Sequence, residues 1–298
     1  MQGTIDGFSY GMVTPIAGYL MACLGSALGL RCTVRSLATG RSRKPGWLAL
    51  GAMSIGCGIW TMHFIAMLGF QVHETTISYD APLTFLSLLV AVLVVGIGVF
   101  TVGYRGTRPA PLLSAGVFTG LGVAGMHYLG MAAMRMGGSL SYDPLVVALS
   151  VLIAVVAATA ALWAAVSIRG FLASLGASVV MGIAVTGMHY TGMAALDVQV
   201  SHSSHTGHGS SLVLPMLVGT LVFLFVAAAI VMFDPLLIMG DDASHRGAVQ
   251  RIDIDDLRSP LDTADNWGVG AAAGRGTDSW TSARPTTVPT EPGRSDAS

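Results

Sequence analysis

Charge is what this sequence has least of. Only 10% of its 298 residues are Asp, Glu, Lys or Arg, where soluble globular chains carry about 25%. That deficit, with 53% hydrophobic residues and a mean hydropathy of +0.68, excludes an ordinary soluble domain and predicts a polytopic membrane protein. Cysteine is scarce too. Cys23, Cys32 and Cys57 show no CxxC and no paired spacing, which excludes a disulfide framework or a zinc ribbon. Cys23 and Cys57 read as small packing residues in apolar helices. No acid–base pair and no activated nucleophile stands out, so the chain is not expected to be an enzyme. The net charge of −1 says nothing about partners, and no nucleic acid is expected among them.

What is present is a series of long apolar runs. A helix needs roughly 20 apolar residues to cross a bilayer core of about 30 Å. Seven stretches qualify, at about 10–30, 46–70, 82–103, 111–134, 144–166, 170–195 and 212–234. The first lacks the basic start and cleavage site of a signal peptide. The few charges are sorted by side. Arg31, Arg35, Arg41, Arg43, Lys44, Arg105, Arg108 and Arg169 fall in alternate connections, against Arg135 alone in the others. The positive-inside rule then predicts an outer N-terminus and a cytoplasmic C-terminus. From residue 240 to 298 the chain is rich in Gly, Ser, Thr, Asp, Pro and Arg, and reads as a disordered cytoplasmic tail.

Three of the runs carry nearly one phrase: GIWTMHFIAML at 58–68, GVAGMHYLGMAAM at 122–134 and AVTGMHYTGMAAL at 184–196. A second marker keeps step with it. Ser9-Tyr10, Ser78-Tyr79 and Ser141-Tyr142 each precede an odd-numbered span. The unit is a helix pair, used three times in the same direction and followed by a seventh helix, and parallel repeats of this kind often share a site. The expected fold is therefore all-α: a seven-helix domain over 7–234, with three parallel two-helix repeats plus one helix.

Each motif histidine is expected about seven residues before its helix ends, roughly 10 Å below the outer boundary at 1.5 Å per residue. The pairs His63/Met67, His127/Met131 and His189/Met193 are spaced i, i+4 and share a helix face. Met62, Met126 and Met188 lie one position earlier. Thioether selects Cu(I), and imidazole serves copper, zinc, iron and nickel. No carboxylate sits in the motifs, so calcium and magnesium are not favoured. Histidine also titrates near neutrality, which keeps pH sensing without metal open. Haem ligation is a third option. Polar residues at membrane depth are costly, so three at equivalent positions point to function. The small residues around them (Gly125, Gly130, Gly187, Gly192, Ala132, Ala133, Ala194, Ala195) would let helices approach closely.

Other features divide between structure and function. Asp80, before Pro82, and Asp143, before Pro144, read as helix caps, or as partners that orient a histidine. Tyr128 and Tyr190 neighbour two of the histidines, and Phe64 replaces them in the first repeat. His202, His205 and His208 in SHSSHTGHG form a compositional metal-binding signal on the outer side. His73 reads as incidental.

The three phrases, with MHYT itself at 188–191, resemble the MHYT-domain family of bacterial integral membrane sensors. The resemblance covers roughly 7–234. It implies a cell-membrane sensor that binds copper through Met62, His63, Met67, Met126, His127, Met131, Met188, His189 and Met193. It also implies a diatomic gas ligand or a redox stimulus. Many members continue into cyclic-dinucleotide or kinase domains, and no such phrase is present here. The output is then expected to pass to a separate cytoplasmic signalling protein. A copper-handling or transport protein is the competing reading, and it would need polar groups continuing through the bundle, where the inner halves are mostly Leu, Val, Ala and Gly.

Overall fold

The computed structural model describes residues 5–6, 9–72, 77–200 and 212–233. Proposed features at His73, at His202, His205 and His208, and over 240–298 lie outside the described residues. Seven helices occur among the described ones: α1 (Val13–Ala38), α2 (Lys44–Leu68), α3 (Ala81–Arg105), α4 (Pro109–Ala132), α5 (Pro144–Ser167), α6 (Phe171–Ala194) and α7 (Val213–Met232). All seven are long and apolar enough to cross a membrane. The expected all-α polytopic architecture is what the chain adopts.

The first span differs most from expectation. It runs to Ala38, so Arg31 and Arg35 lie within its last turns and not in a loop. Their side chains find aromatic faces there. The Arg31 guanidinium sits 4.5 Å from the Phe171 ring centroid, and that of Arg35 sits 5.5 Å from Trp47. A guanidinium over a ring keeps part of its solvation while its aliphatic stem covers apolar surface.

Helix starts follow local chemistry. Asp80 accepts from the Leu83 N–H at 3.1 Å, and Asp143 from Leu145 and Val146 at 2.8 and 3.1 Å. Proline opens both helices at positions where no N–H is needed. These carboxylates are caps, and neither reaches a histidine.

The six repeat helices close into a ring, each packed against its neighbours in chain order, with α6 returning to α1. α7 stands outside the ring against α2 and α1. It buries one stripe: Val213, Leu217, Thr220, Leu224, Ala227 and Val231. In the middle of that stripe Thr61 donates its hydroxyl to Thr220 at 2.9 Å. α1 and α2 approach closely where Gly25 meets Gly58, since a Cβ on Gly25 would collide with the Gly58 backbone.

One layer was not anticipated. Each helix pair is tied at its motif end by a two-stranded antiparallel ribbon. β1 (Ile5–Asp6) pairs with β2 (Gln71–Val72), β3 (Ser78–Tyr79) with β4 (Met134–Arg135), and β5 (Gly138–Tyr142) with β6 (Leu196–Val200). The registers are Ile5 to Val72, Tyr79 to Met134 and Tyr142 to Leu196. The Ser-Tyr marker is thus the strand, or the turn, that leads into each hairpin. Ser9 donates to the Gly69 carbonyl, Asp80 N–H to Ala133, and Asp143 N–H to Ala195. The repeat is therefore strand, helix, helix, strand. Most of these strands are two residues long, too short to show alternation. LDVQV at 196–200 does alternate, with Leu196 and Val198 buried and Asp197 and Gln199 exposed.

Candidate metal centre

α2, α4 and α6 all run toward the ribbons. His63, His127 and His189 each stand five residues before the last residue of their helix, not seven. That places them about 7.5 Å from the helix end at 1.5 Å per residue. Equal register on three helices of one ring puts the imidazoles at one depth, and the ring closure brings them to the axis.

They meet there. Nδ1 of His63 lies 3.1 Å from Nδ1 of His189 and 3.2 Å from Nδ1 of His127, and the third side of the triangle is 3.3 Å. The ring planes stand nearly perpendicular to one another, at 82–90°. All three residues are 1% exposed.

Hydrogen bonding alone cannot satisfy this arrangement. A neutral imidazole nitrogen is either a donor or an acceptor. Among three nitrogens in mutual contact, two must share a role, so at least one side of the triangle is a repulsive pair. A cation at the centre would accept all three lone pairs. The centre of a triangle with sides of about 3.2 Å lies about 1.9 Å (side over √3) from each nitrogen, close to the roughly 2.0–2.1 Å of a zinc–imidazole bond. The donor set fits a metal ion, and these are the three His, Cys, Asp or Glu residues whose ligand atoms cluster this tightly among the described residues.

With Nδ1 turned inward, Nε2 turns outward onto the neighbouring repeat. A Cβ on Gly130 would overlap the Nε2 of His63, and one on Gly192 would overlap the Nε2 of His127. The imidazoles of His63 and His127 thus each rest on a glycine of the next motif helix. Neither Nε2 has a hydrogen-bond partner, which is a cost of about 1–3 kcal/mol for each buried polar group. Gly125 and Gly187 differ from expectation, because nothing lies within 4 Å of where their Cβ would be. Helix approach uses other glycines, and Gly130 and Gly192 make room for rings.

The six expected methionines separate into two layers. Met67, Met131 and Met193 join Phe70, Val72, Met134, Leu196 and Val198 in a cluster beneath the ribbons. Met126 and Met188 belong to the main core below, and Met62 is buried at 1% exposure. The thioethers thus flank the imidazole layer on both sides, while the three nitrogens form its centre.

Contacts around the motifs hold the layer in place, and Ser150, Ser87 and Trp60 are the members that the sequence did not single out. Tyr128 and Ser150 share a hydrogen bond of 2.6 Å. Ser87 occupies the matching place on α3, but Phe64 has no hydroxyl to offer it. Trp60, one turn earlier, donates its indole N–H to Ser87 at 3.0 Å instead. Above this layer Tyr79 directs its hydroxyl at the Met67 carbonyl, 3.4 Å away, and burial pushes its phenol up.

The family model described as "Bacterial signalling protein N terminal repeat", MHYT, matches residues 56–115 and 120–178. The matched segments begin 64 residues apart (120 less 56), the spacing of His63 and His127, and each contains one motif histidine. The chain is 38% identical over 239 residues to the bifunctional diguanylate cyclase/cyclic di-GMP phosphodiesterase MucR of Pseudomonas aeruginosa, covering 77% of this chain and 35% of that protein. It is 38% identical over 214 residues to the cyclic di-GMP phosphodiesterase NbdA of the same organism, covering 67% and 27%. It is 32% identical over 188 residues to the signaling protein YkoW of Bacillus subtilis, covering 59% and 23%. The chain therefore spans about a third or less of the length of these curated relatives. No solved structure matches. Seven apolar helices, a repeated Met-His phrase and two matches to the repeat model converge: the membrane region of this chain belongs to the MHYT family of bacterial membrane signalling proteins.

Proposed function

We propose that the chain is a membrane sensor whose receptor element is a copper ion held by His63, His127 and His189. The observation that carries this reading is the Nδ1 triangle with sides of 3.1–3.3 Å at the bundle axis. Three neutral nitrogens with thioethers in the adjacent layers and no carboxylate favour a soft, low-charge ion, and Cu(I) suits that set. Met62, Met67, Met126, Met131, Met188 and Met193 supply the polarizable surroundings and are the available further ligands.

Bound copper would supply a redox-active centre with affinity for diatomic gases. The protein's own part is to orient the rings, hold Nδ1 inward by seating the Nε2 edges of His63 and His127 on Gly130 and Gly192, and keep water out. A sensor needs two arrangements with different affinity for the stimulus. The three imidazoles come from three separate hairpins, so any change in their spacing is a change in how the repeats pack.

The N-terminus faces outward on this reading, because eight basic residues crowd the opposite ends of the helices. The stimulus then acts in the outer leaflet, and the output is received by a cytoplasmic signalling partner. Transport is disfavoured, because the two turns below the histidines are lined by Ile59, Val123, Val185, Ile55, Thr119 and Met181.

The test is the metal content of the purified protein per chain, beside the double variant His127→Ala/His189→Ala. Near-stoichiometric copper that is lost in the variant supports the site. No metal in either, even after reconstitution with Cu(I), overturns it.

A further inference from the structure

One to two turns below the imidazole layer the bundle is not filled. A cavity of about 50 Å³ lies on the axis, bounded by the turn before each histidine (Ile59, Val123, Val185) and by the turn before that (Ile55, Thr119, Met181). One water needs about 10–15 Å³ on this measure, so the space holds a few molecules of that size. Its wall is almost wholly carbon. Ser26 and Thr119 are the residues that bring hydroxyls, and Thr119 is already committed to the Val94 carbonyl at 3.3 Å. Water needs two to four polar partners to stay in such a space, and cavities without them remain dry and take apolar guests.

The smallest side chains of the wall are on α5. That helix presents Ala154, Ala157, Ala158, Ala161 and Ala165 to the cavity, where a larger side chain would close it. Ala157, Ala158 and Ala161 are only half-buried, so one methyl group separates the space from the helix surface. Apolar gases favour hydrocarbon over water for the reason that any apolar solute does.

We propose that this cavity is a binding chamber for a small apolar gas, reached sideways from the bilayer past the α5 alanines and placed one turn below the histidine triad. The proposal rests on the sensor reading for its purpose, but occupancy of the chamber does not require the metal. A gas arriving this way meets the triad without crossing the ribbons. The chamber also explains why α5 carries alanine at five positions facing the core.

Xenon is the probe. Met181 and Met188 both line the chamber, so 13C-methyl methionine spectra of the metal-free, full-length protein in nanodiscs report on it directly. Under rising xenon pressure, saturable shifts are expected at Met181 and Met188. Met53, exposed on α2, should show only the linear drift of a lipid-facing methyl. Ala158→Leu should abolish the saturable shifts, and Ala160→Leu, on the exposed side of α5, should leave them intact. Met181 and Met188 responses no different from Met53 in the unsubstituted protein overturn the chamber, and so do saturable shifts that survive in a folded Ala158→Leu. Because no copper is present, failure here leaves the metal reading standing, and failure of the metal reading leaves this result interpretable.

Discussion

The Nε2 edge of His63 lies where a side chain on Gly130 would have to be. His127 stands in the same relation to Gly192. Glycine inside a helix costs about 1 kcal/mol relative to alanine, and at these two positions it leaves space for the imidazole of the preceding repeat. Gly130→Ala or Gly192→Ala should displace a ring and weaken copper binding about 10–100-fold, as loss of a supporting contact to a metal ligand does. Gly125→Ala, with open space around it, should leave affinity unchanged and slightly raise stability. Competitive Cu(I) titration of the three variants separates these outcomes.

Tyr128 and Ser150 share a hydrogen bond that is largely shielded from solvent. Ser150→Ala should lower stability by about 1–3 kcal/mol by leaving the phenol unpaired. Tyr128→Phe in that background should cost less than its single effect, because coupled partners are not additive. Thermal unfolding of the two single variants and the double variant gives the cycle.

Asp80 should contribute an acid-sensitive part of stability. The Leu83 N–H, and then the Arg135 guanidinium at 3.1 Å, hold its carboxyl below the ordinary carboxylate range. A depressed folded value favours the folded state above the unfolded carboxyl value, about 3.9. That contribution is lost as pH falls through the folded value. The difference in melting temperature between the native protein and Asp80→Ala should be constant near neutrality. It should shrink below about pH 4. A difference that grows on acidification would contradict the assignment.

Removing the metal should loosen the ring as a whole. An ion bound only by the folded state stabilises it by about 4 kcal/mol at a thousandfold excess over Kd. Chelation of copper-loaded protein should therefore lower its melting temperature, and chelation should leave His63→Ala where it was. Differential scanning in the same nanodiscs reads both.

Much of this architecture was legible because hydropathy and repetition are local properties of the chain. Apolar runs of bilayer length can satisfy their backbone only as helices. The capping of α3 and α5 by Asp80 and Asp143 followed from neighbouring residues alone. The ribbons did not, because two-residue strands carry no period and pairing Ile5 with Val72 spans an entire hairpin. The roles of Gly130 and Gly192 were misread as helix contact, since nothing along α4 or α6 indicates that a ring from another helix will enter there.

Seven helices, their three parallel pairs and the common depth of His63, His127 and His189 could be read along the chain. Those follow from composition, spacing and the fixed rise of a helix. Closure of the ring through α6 and α1, the nitrogen that faces the axis and the void below emerge only when the helices pack. The physical reason is that ring orientation and empty space depend on what occupies the same volume. Those occupants come from residues 62 to 126 positions away in the chain.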